Sequence, residues 1–482
     1  MSKDASLKKK TLKAGFWLFF RKFAVRLINL GAIYVLARKL SPSDFGVVAL
    51  ARVALRLITD GTSQTTSTFI IYDNQEDWKE RVNTGFWLNV ILLILLFIIL
   101  LIILPFIVKF YKGGIFLKRI VLWFFVAFVF TELRSIPDAL LKKKLLYNKL
   151  VLKDTIMDGL SAIISVFMAI YGYGVWSLVT PFVIVSILNL PVSFFQSKWF
   201  PDKISLKGAG RIIKYTVHII GTNILTFLSN EGDTLIVGKL LGFRDLGIYN
   251  RAYASANLIV SNIKSVATDV SFPSLSSVNR DIKRLHRAFI KMLELLSVVA
   301  FPLTIGLIVL AREFILVLYG QQWIQSVVPM QILAIMALRR VVGSPAGTLF
   351  NAKGKPDIML KFGIVFTPLY LISVFFGALH GMIGVALSVT IVRTTGGLFI
   401  FYLVSRELEY SLFKLFSHMI RPFIYASFMG IVIYIAKKVF CISNVYISLF
   451  LYTAVGMLIY GILIFMDKKT RNMIFELLKS LR

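Results

Sequence analysis

Phe86 to Val108 runs without a single charged residue, and such a stretch leaves a chain few folds to choose from. It exceeds the roughly 20 helical residues needed to cross a hydrocarbon core of about 30 Å. About fourteen segments meet that length: 15–37, 44–68, 83–105, 119–140, 151–171, 175–196, 212–240, 245–270, 289–310, 325–351, 358–379, 383–405, 417–437 and 444–466. In lipid each backbone N–H and C=O must be satisfied inside its own segment, so the expected fold is an all-α, polytopic membrane protein of about 14 transmembrane helices. Composition agrees: 57% of residues are hydrophobic and 16% charged, against about a quarter charged in soluble globules. The bilayer is the expected solvent.

The formal charge of +31 raises the question of nucleic acid. That function needs a basic face on a soluble domain, whereas here the cations fall mostly in short loops between apolar runs, so no nucleic-acid partner is expected. With the N-terminus inside, cytoplasmic loops hold about 28 Lys and Arg and outside loops about 8, led by Lys142, Lys143, Lys144, the Arg280 to Arg287 cluster and the tail from Lys468 to Arg482. The positive-inside bias therefore places both termini on the cytoplasmic side of the cytoplasmic membrane. The acidic loop Asp73 to Asp77 argues weakly the other way, since carboxylates count little in that rule. Lys8, Lys9 and Lys10 before an apolar run resemble a signal peptide, but Arg21, Lys22 and Arg26 interrupt it, and we read a retained first span.

The segment L-A-R-K-L-S-P-S-D-F-G-V-V, Leu36 to Val48, returns as V-G-K-L-L-G-F-R-D-L-G-I-Y, Val237 to Tyr249, each copy between two apolar spans. Pro137 matches Pro345 in the same order, and G-V-W-S-L at Gly174 matches G-V-A-L-S at Gly384. A parallel repeat of this size marks transporters whose two halves surround a central path. It divides the chain into an N-lobe over 1–211, a C-lobe over 212–416, each of six helices, and two C-terminal helices with a tail over 417–482. In both copies of the motif the Asp can cap the next helix, while Gly46 and Gly247 allow a tight turn or close packing.

Polar residues inside the spans fall on faces. Lys22, Arg26 and Asn29 share one face of span 1, with Arg21 beside them, and Arg52, Arg56 and Asp60 one face of span 2. One such cation facing lipid costs about 2.5 to 3.5 kcal/mol, so five would cost more than about 10 kcal/mol, and a hydrated interior is favoured. Snorkelling to the headgroups is the alternative, strongest for Arg21 and Lys22. Span 7 carries His218, Thr222, Thr226, Ser229, Asn230 and Asp233 on one face, with Asn223 at its edge, and span 8 adds Asn250, Asn257, Ser261 and Lys264, with Arg251 alongside. Such groups also glue helices together. Dense stripes on the equivalent spans of both lobes nevertheless favour one cavity, with Arg26, Arg52, Arg56, Asn223, Asn230, Arg251, Asn257 and Lys264 as candidate lining residues. Asp60 and Asp233 are candidate ion-coupling carboxylates, Asp233 against the alternative of a salt bridge to Arg251 or Lys264. Glu132, Arg134 and Asp138, and Asp154 with Asp158, fit internal salt bridging. Arg339, Arg340 and Arg393 fit either an extended cavity or lipid headgroups.

Signatures of enzymes are missing from the sequence: no Walker A loop, no H-E-x-x-H, no G-x-S-x-G, and four dispersed histidines. No enzyme activity, cofactor or metal is expected, and the single Cys441 permits no internal disulfide.

Taken together, L-S-P-S-D-F-G-V-V-A-L at Leu40, Y-G-Y-G-V-W-S-L-V at Tyr171, V-G-K-L-L-G-F-R-D-L-G-I-Y at Val237, the Phe272–Pro273 pair, Y-G-Q-Q-W at Tyr319 and N-A-K-G-K-P at Asn351 resemble the polysaccharide transporters of the MOP superfamily, the Wzx-type flippases and exporters. The resemblance implies a two-lobed, alternating-access carrier of a polyprenyl-pyrophosphate-linked oligosaccharide for lipopolysaccharide, O-antigen, capsule or exopolysaccharide biosynthesis, with polymerase or ligase machinery as a candidate partner. It also implies Arg26, Arg52 and Arg251 as counterparts of the pyrophosphate-gripping arginines of related lipid II flippases. Independently, a net cationic cavity suits an anionic substrate, because guanidinium forks match phosphate oxygens. A multidrug cation exporter of the same superfamily is the first alternative and would need a net acidic cavity. A membrane glycan polymerase or ligase is the second and would need a long catalytic outside loop.

Overall fold

The computed structural model describes residues 24–59, 65–72, 78–206, 209–258 and 281–473. Every regular element among the described residues is helical. In chain order they are α1 (24–39), α2 (Pro42–Thr59), α3 (Thr65–Tyr72), α4 (Trp78–Phe110), α5 (Gly114–Lys143), α6 (Tyr147–Ile170), α7 (Trp176–Ser197) and α8 (Ala209–Leu240). Next comes α9 (242–258). There follow α10 (Ile282–Val309), α11 (Ala311–Leu318), a 3₁₀ turn at Gln321–Ser326, α12 (Val327–Val342), α13 (Ser344–Ala352), α14 (Asp357–Ala378), α15 (Gly381–Glu407), α16 (Leu412–Val439) and α17 (Val445–Met466).

Nine helices among the described residues are long and apolar enough to cross a membrane, at the positions of the third, fourth, sixth and ninth to fourteenth anticipated spans. The helices at the first, second, fifth, seventh and eighth positions do not join that set, and these are the ones carrying the polar and charged stripes. Outward faces confirm the solvent: Phe450, Met466, Phe106 and Met457 stand exposed, as lipid-facing side chains should. The protein is a multi-pass membrane protein.

Among the described residues one span is broken where the sequence suggested continuity. Span 10 splits at Gly343 into α12 and α13, while α2 and α3 of span 2 flank positions 60–64, which lie outside the described residues. Pro345 has no N–H to donate to the carbonyl of Val341, and the Ser344 hydroxyl donates to that oxygen instead, at 2.8 Å. Pro137, by contrast, lies within an unbroken α5, as membrane helices often permit.

Packing divides the chain into two compact units, Met1–Gly247 and Ile248–Arg482. In the first, α5 packs on α7, α2 on α5 and α8, and α6 on α7, with Ile70, Val82, Phe86, Ile136 and Leu140 forming one core cluster. In the second, α10 packs on α16 and α12, α14 on α15 and α15 on α12; Leu285, Phe289, Leu349, Phe350 and Val404 centre its core.

Within the first unit the two copies of the repeated motif meet. A Cβ added to Gly46 would lie 1.8 Å from the carbonyl oxygen of Phe243, and one added to Gly247 would lie 1.8 Å from that of Pro42. Each backbone therefore approaches the other through the space a side chain would fill, which is the close packing anticipated for both glycines. Asp44 also acts as expected. Its Oδ2 accepts from the Ser41 N–H and hydroxyl at 2.9 and 2.8 Å, while the Asp44 N–H donates to Ser41 Oγ at 3.3 Å, a reciprocal capping box that starts α2.

Candidate functional site

Helix α2 is apolar on nearly every side, and α5, α8, α4 and α7 cover it. Between Pro42 and Thr59 the exposed residues are Arg52, Arg56 and Leu57. The i, i+4 spacing puts both guanidiniums on one stripe, as the sequence implied. Arg52 lies over aromatic rings, 5.2 Å from the centroid of Phe124 and 6.0 Å from that of Phe182, so its charge rests on ring faces that attract cations. Arg56 forms an ion pair with Glu231 of α8, yet 44% of its side chain stays accessible. Both cations thus remain presented rather than sealed in.

Helix α8 supplies the facing polar groups. Asn230 is exposed and Asp233 is buried, 2% accessible, with Oδ1 accepting from the Thr234 N–H at 2.8 Å. Glu231 is a residue that helical spacing did not select. It follows Asn230 directly and so lies about 100° off the stripe that carries the candidates, and only the position of Arg56 reveals its role. The side chain of Asn223 lies outside the described residues, as do Asp60 and Lys264 altogether. Arg26 is half-buried on α1.

Beside this stripe the first unit holds a second polar group. Arg134 pairs with Asp138 and Asp154, each at 3.3 Å, and the buried Lys153 pairs with Asp138 at 2.6 Å and donates to Ser193 Oγ at 2.6 Å. Arg134, Asp138 and Asp154, with Thr131, Glu132 and Tyr147, line a cavity of about 190 Å³. The internal salt bridging expected of Arg134, Asp138 and Asp154 is present, and Lys153 completes it.

In the second unit Asn257 is engaged. Its Oδ1 accepts from Arg340 Nη1 at 3.1 Å, and the Tyr253 hydroxyl accepts from the same nitrogen at 3.1 Å. Arg251 Nη2 donates to Asn250 Oδ1 at 2.9 Å. Candidates from span 8 and span 10 are therefore brought together, a link that spacing within one helix could not reveal.

Comparison with known proteins gives this arrangement a family. A family model described as polysaccharide biosynthesis protein matches residues 35–328. The chain is 26% identical over 406 residues to the lipopolysaccharide biosynthesis protein WzxC of Escherichia coli, covering 80% of this chain and 79% of that one. It is 24% identical over 481 residues to the succinoglycan biosynthesis transport protein ExoT of Rhizobium meliloti, covering 98% and 95%. Among solved structures it superposes on the lipid II flippase MurJ in an inward closed conformation with a TM-score of 0.70 at 16% identity, covering 94% of this chain and 98% of that one. At that identity the likeness concerns the fold.

Proposed function

The chain belongs to the polysaccharide biosynthesis protein family, and from that premise we propose that it carries a polyprenyl-pyrophosphate-linked oligosaccharide across the cytoplasmic membrane by alternating access. The moving bodies are the repeat halves 1–211 and 212–416, with 417–482 appended, and both termini lie in the cytoplasm. It acts as a carrier and leaves glycan assembly to polymerase or ligase machinery.

One observation carries the reading: on α2 the exposed positions are two arginines and a leucine. Turned to lipid, each arginine would cost about 2.5 to 3.5 kcal/mol, whereas facing an aqueous path they supply forks that match a diphosphate. Arg52 and Arg56 are assigned to the diphosphate, with Arg26 and Arg251 as further cations and Asn223, Asn230, Asn257 and Lys264 as saccharide or headgroup contacts. Asp233, buried beside this stripe, is the assigned coupling carboxylate, with Asp60 second.

The test is uptake of a fluorescent polyprenyl-pyrophosphate saccharide into inverted membrane vesicles. Arg52→Gln with Arg56→Gln should lower transport at least about tenfold, on the order of what removing a single charge-assisted hydrogen bond costs, while expression stays normal. Asp233→Asn should keep substrate binding but abolish the response to an imposed proton or sodium gradient. Unchanged transport by the double arginine variant, or wild-type transport of organic cations in place of the lipid-linked saccharide, would overturn the proposal.

A further inference from the structure

Arg339 and Arg340 of α12 and Arg393 of α15 form a cationic group inside the second unit that the transport assignment does not use. Three observations show how they are held. Arg340 is pinned by the Tyr253 hydroxyl and Asn257 Oδ1, both at 3.1 Å. Arg339 lies flat on the backbone of α15: a Cβ on Gly397 would stand 2.0 Å from its Nη1 and 2.2 Å from its Cδ, so the guanidinium occupies the place of a missing side chain. Arg393, one helical turn before Gly397, sits with its Cζ 4.3 Å from the Tyr370 ring centroid. The charges of Arg393 and Arg340 both act on Arg339.

The chain supplies Arg339 and Arg340 with no balancing carboxylate among the described residues. Six carboxylates of this unit are engaged elsewhere: Glu294 with His418 and Lys469, Glu313 with Lys437, Glu407 with Lys353 and Lys355, Asp281 with Arg284, Asp357 with Lys361 and Asp467 with Arg421. Arg339 Nε and the neighbouring Thr394 Oγ1 are buried without a hydrogen-bond partner among the described residues. Like charges gathered within spanning helices are unfavourable unless an anion balances them. Several guanidinium forks and nearby hydroxyls suit an ion with several oxygens and more than one negative charge better than a single carboxylate.

We propose that Arg339, Arg340 and Arg393 form a binding site for a phosphate group, with Tyr253 and Asn257 as positioning residues that hold Arg340. The phosphate comes either from an anionic bilayer lipid headgroup or from the diphosphate of a lipid-linked substrate. The site stands without the transport reading, because its occupancy is measured with no substrate moving.

The experiment uses the full chain in nanodiscs of phosphatidylcholine. Arginines are modified with phenylglyoxal and located by peptide mass spectrometry, with phosphatidylglycerol in the disc, with inorganic pyrophosphate in solution, or with neither. Phosphatidylglycerol alone protecting the three arginines, by about fivefold or more, identifies the headgroup source; protection by pyrophosphate identifies the diphosphate source. R339Q/R393Q should weaken affinity for the protecting ligand about tenfold, and Tyr253→Phe should reduce protection at Arg340 in particular. Protection by neither anion in the wild-type protein overturns the site even if the double variant does not fold, and so does unchanged affinity in a folded double variant. Neither result bears on transport through Arg52 and Arg56.

Discussion

At the scale of single residues, the buried charges are specific about what they need. Lys153 is 1% accessible, and its ammonium is satisfied by Asp138 and Ser193; removing it takes from Asp138 its 2.6 Å partner and leaves the carboxylate with Arg134 at 3.3 Å. Breaking a buried pair by deleting one partner costs about 3 to 5 kcal/mol. Lys153→Met should therefore lower the melting temperature of the purified protein sharply, and Lys153→Met with Asp138→Asn should recover much of the loss. Equal melting of the single and double variants would show that the pair is not coupled. Asp467 behaves differently because it lies beyond the last span. Burial raises its pKa, but hydrogen bonds from Thr470 and the Lys469 N–H and the charge of Arg421 prevail and hold it below its usual value. The sign follows from the depressed folded pKa: the contribution is complete above the unfolded value of about 3.9 and disappears as pH falls through the folded one. Melting curves of wild type and Asp467→Asn should thus differ near neutrality and converge in acid. A gap that stays constant down to pH of about 3 would contradict this assignment.

At the scale of elements, the contact between the repeated motifs is the tightest constraint. The carbonyls of Phe243 and Pro42 each lie 1.8 Å from where a Cβ would stand on Gly46 and Gly247, and a backbone oxygen cannot rotate away as a side chain can. Gly46→Ala and Gly247→Ala should each destabilise by at least about 1 to 3 kcal/mol, the usual cost of overpacking, read as a smaller monodisperse peak on gel filtration. Normal yield and melting for both would mean that the helices separate without penalty. These glycines were legible in the sequence because the same D-x-G pattern recurs between apolar spans. The capping role of Asp44 and the apolar runs of α4, α14 and α17 were legible too, since local spacing determines them. The break within span 10 was not. At Gly343 the break depends on a proline lacking one donor and a serine hydroxyl replacing it, which hydropathy averages away. The partners of Glu231, Tyr253 and Lys153 were not legible for a related reason: each acquires its role from a helix distant in sequence, and periodicity within one helix reports a face without naming what faces it.

At the scale of the whole molecule, span number and orientation decide which side loads substrate. Nine helices among the described residues have the length and apolarity to cross, and the other anticipated spans are the ones that carry the polar stripes. On the proposed total of fourteen both ends fall on one side, and the excess of about 28 against 8 Lys and Arg would make that side cytoplasmic. The proposed orientation sets Lys142 and Lys143, in the last turn of α5, and Lys144 after it inside, and Gly172, between α6 and α7, outside. A phosphatase reporter active only outside the cytoplasm should be silent when fused after Lys144 or Arg482 and active after Gly172. Activity after Arg482 would make the span count odd, and one of the polar helices would then have to lie within a single leaflet. Inversion of all three fusions would instead keep fourteen spans and reverse the positive-inside assignment, placing the basic loops opposite the compartment where nucleotide-activated sugars are consumed and making loading from the cytoplasm untenable.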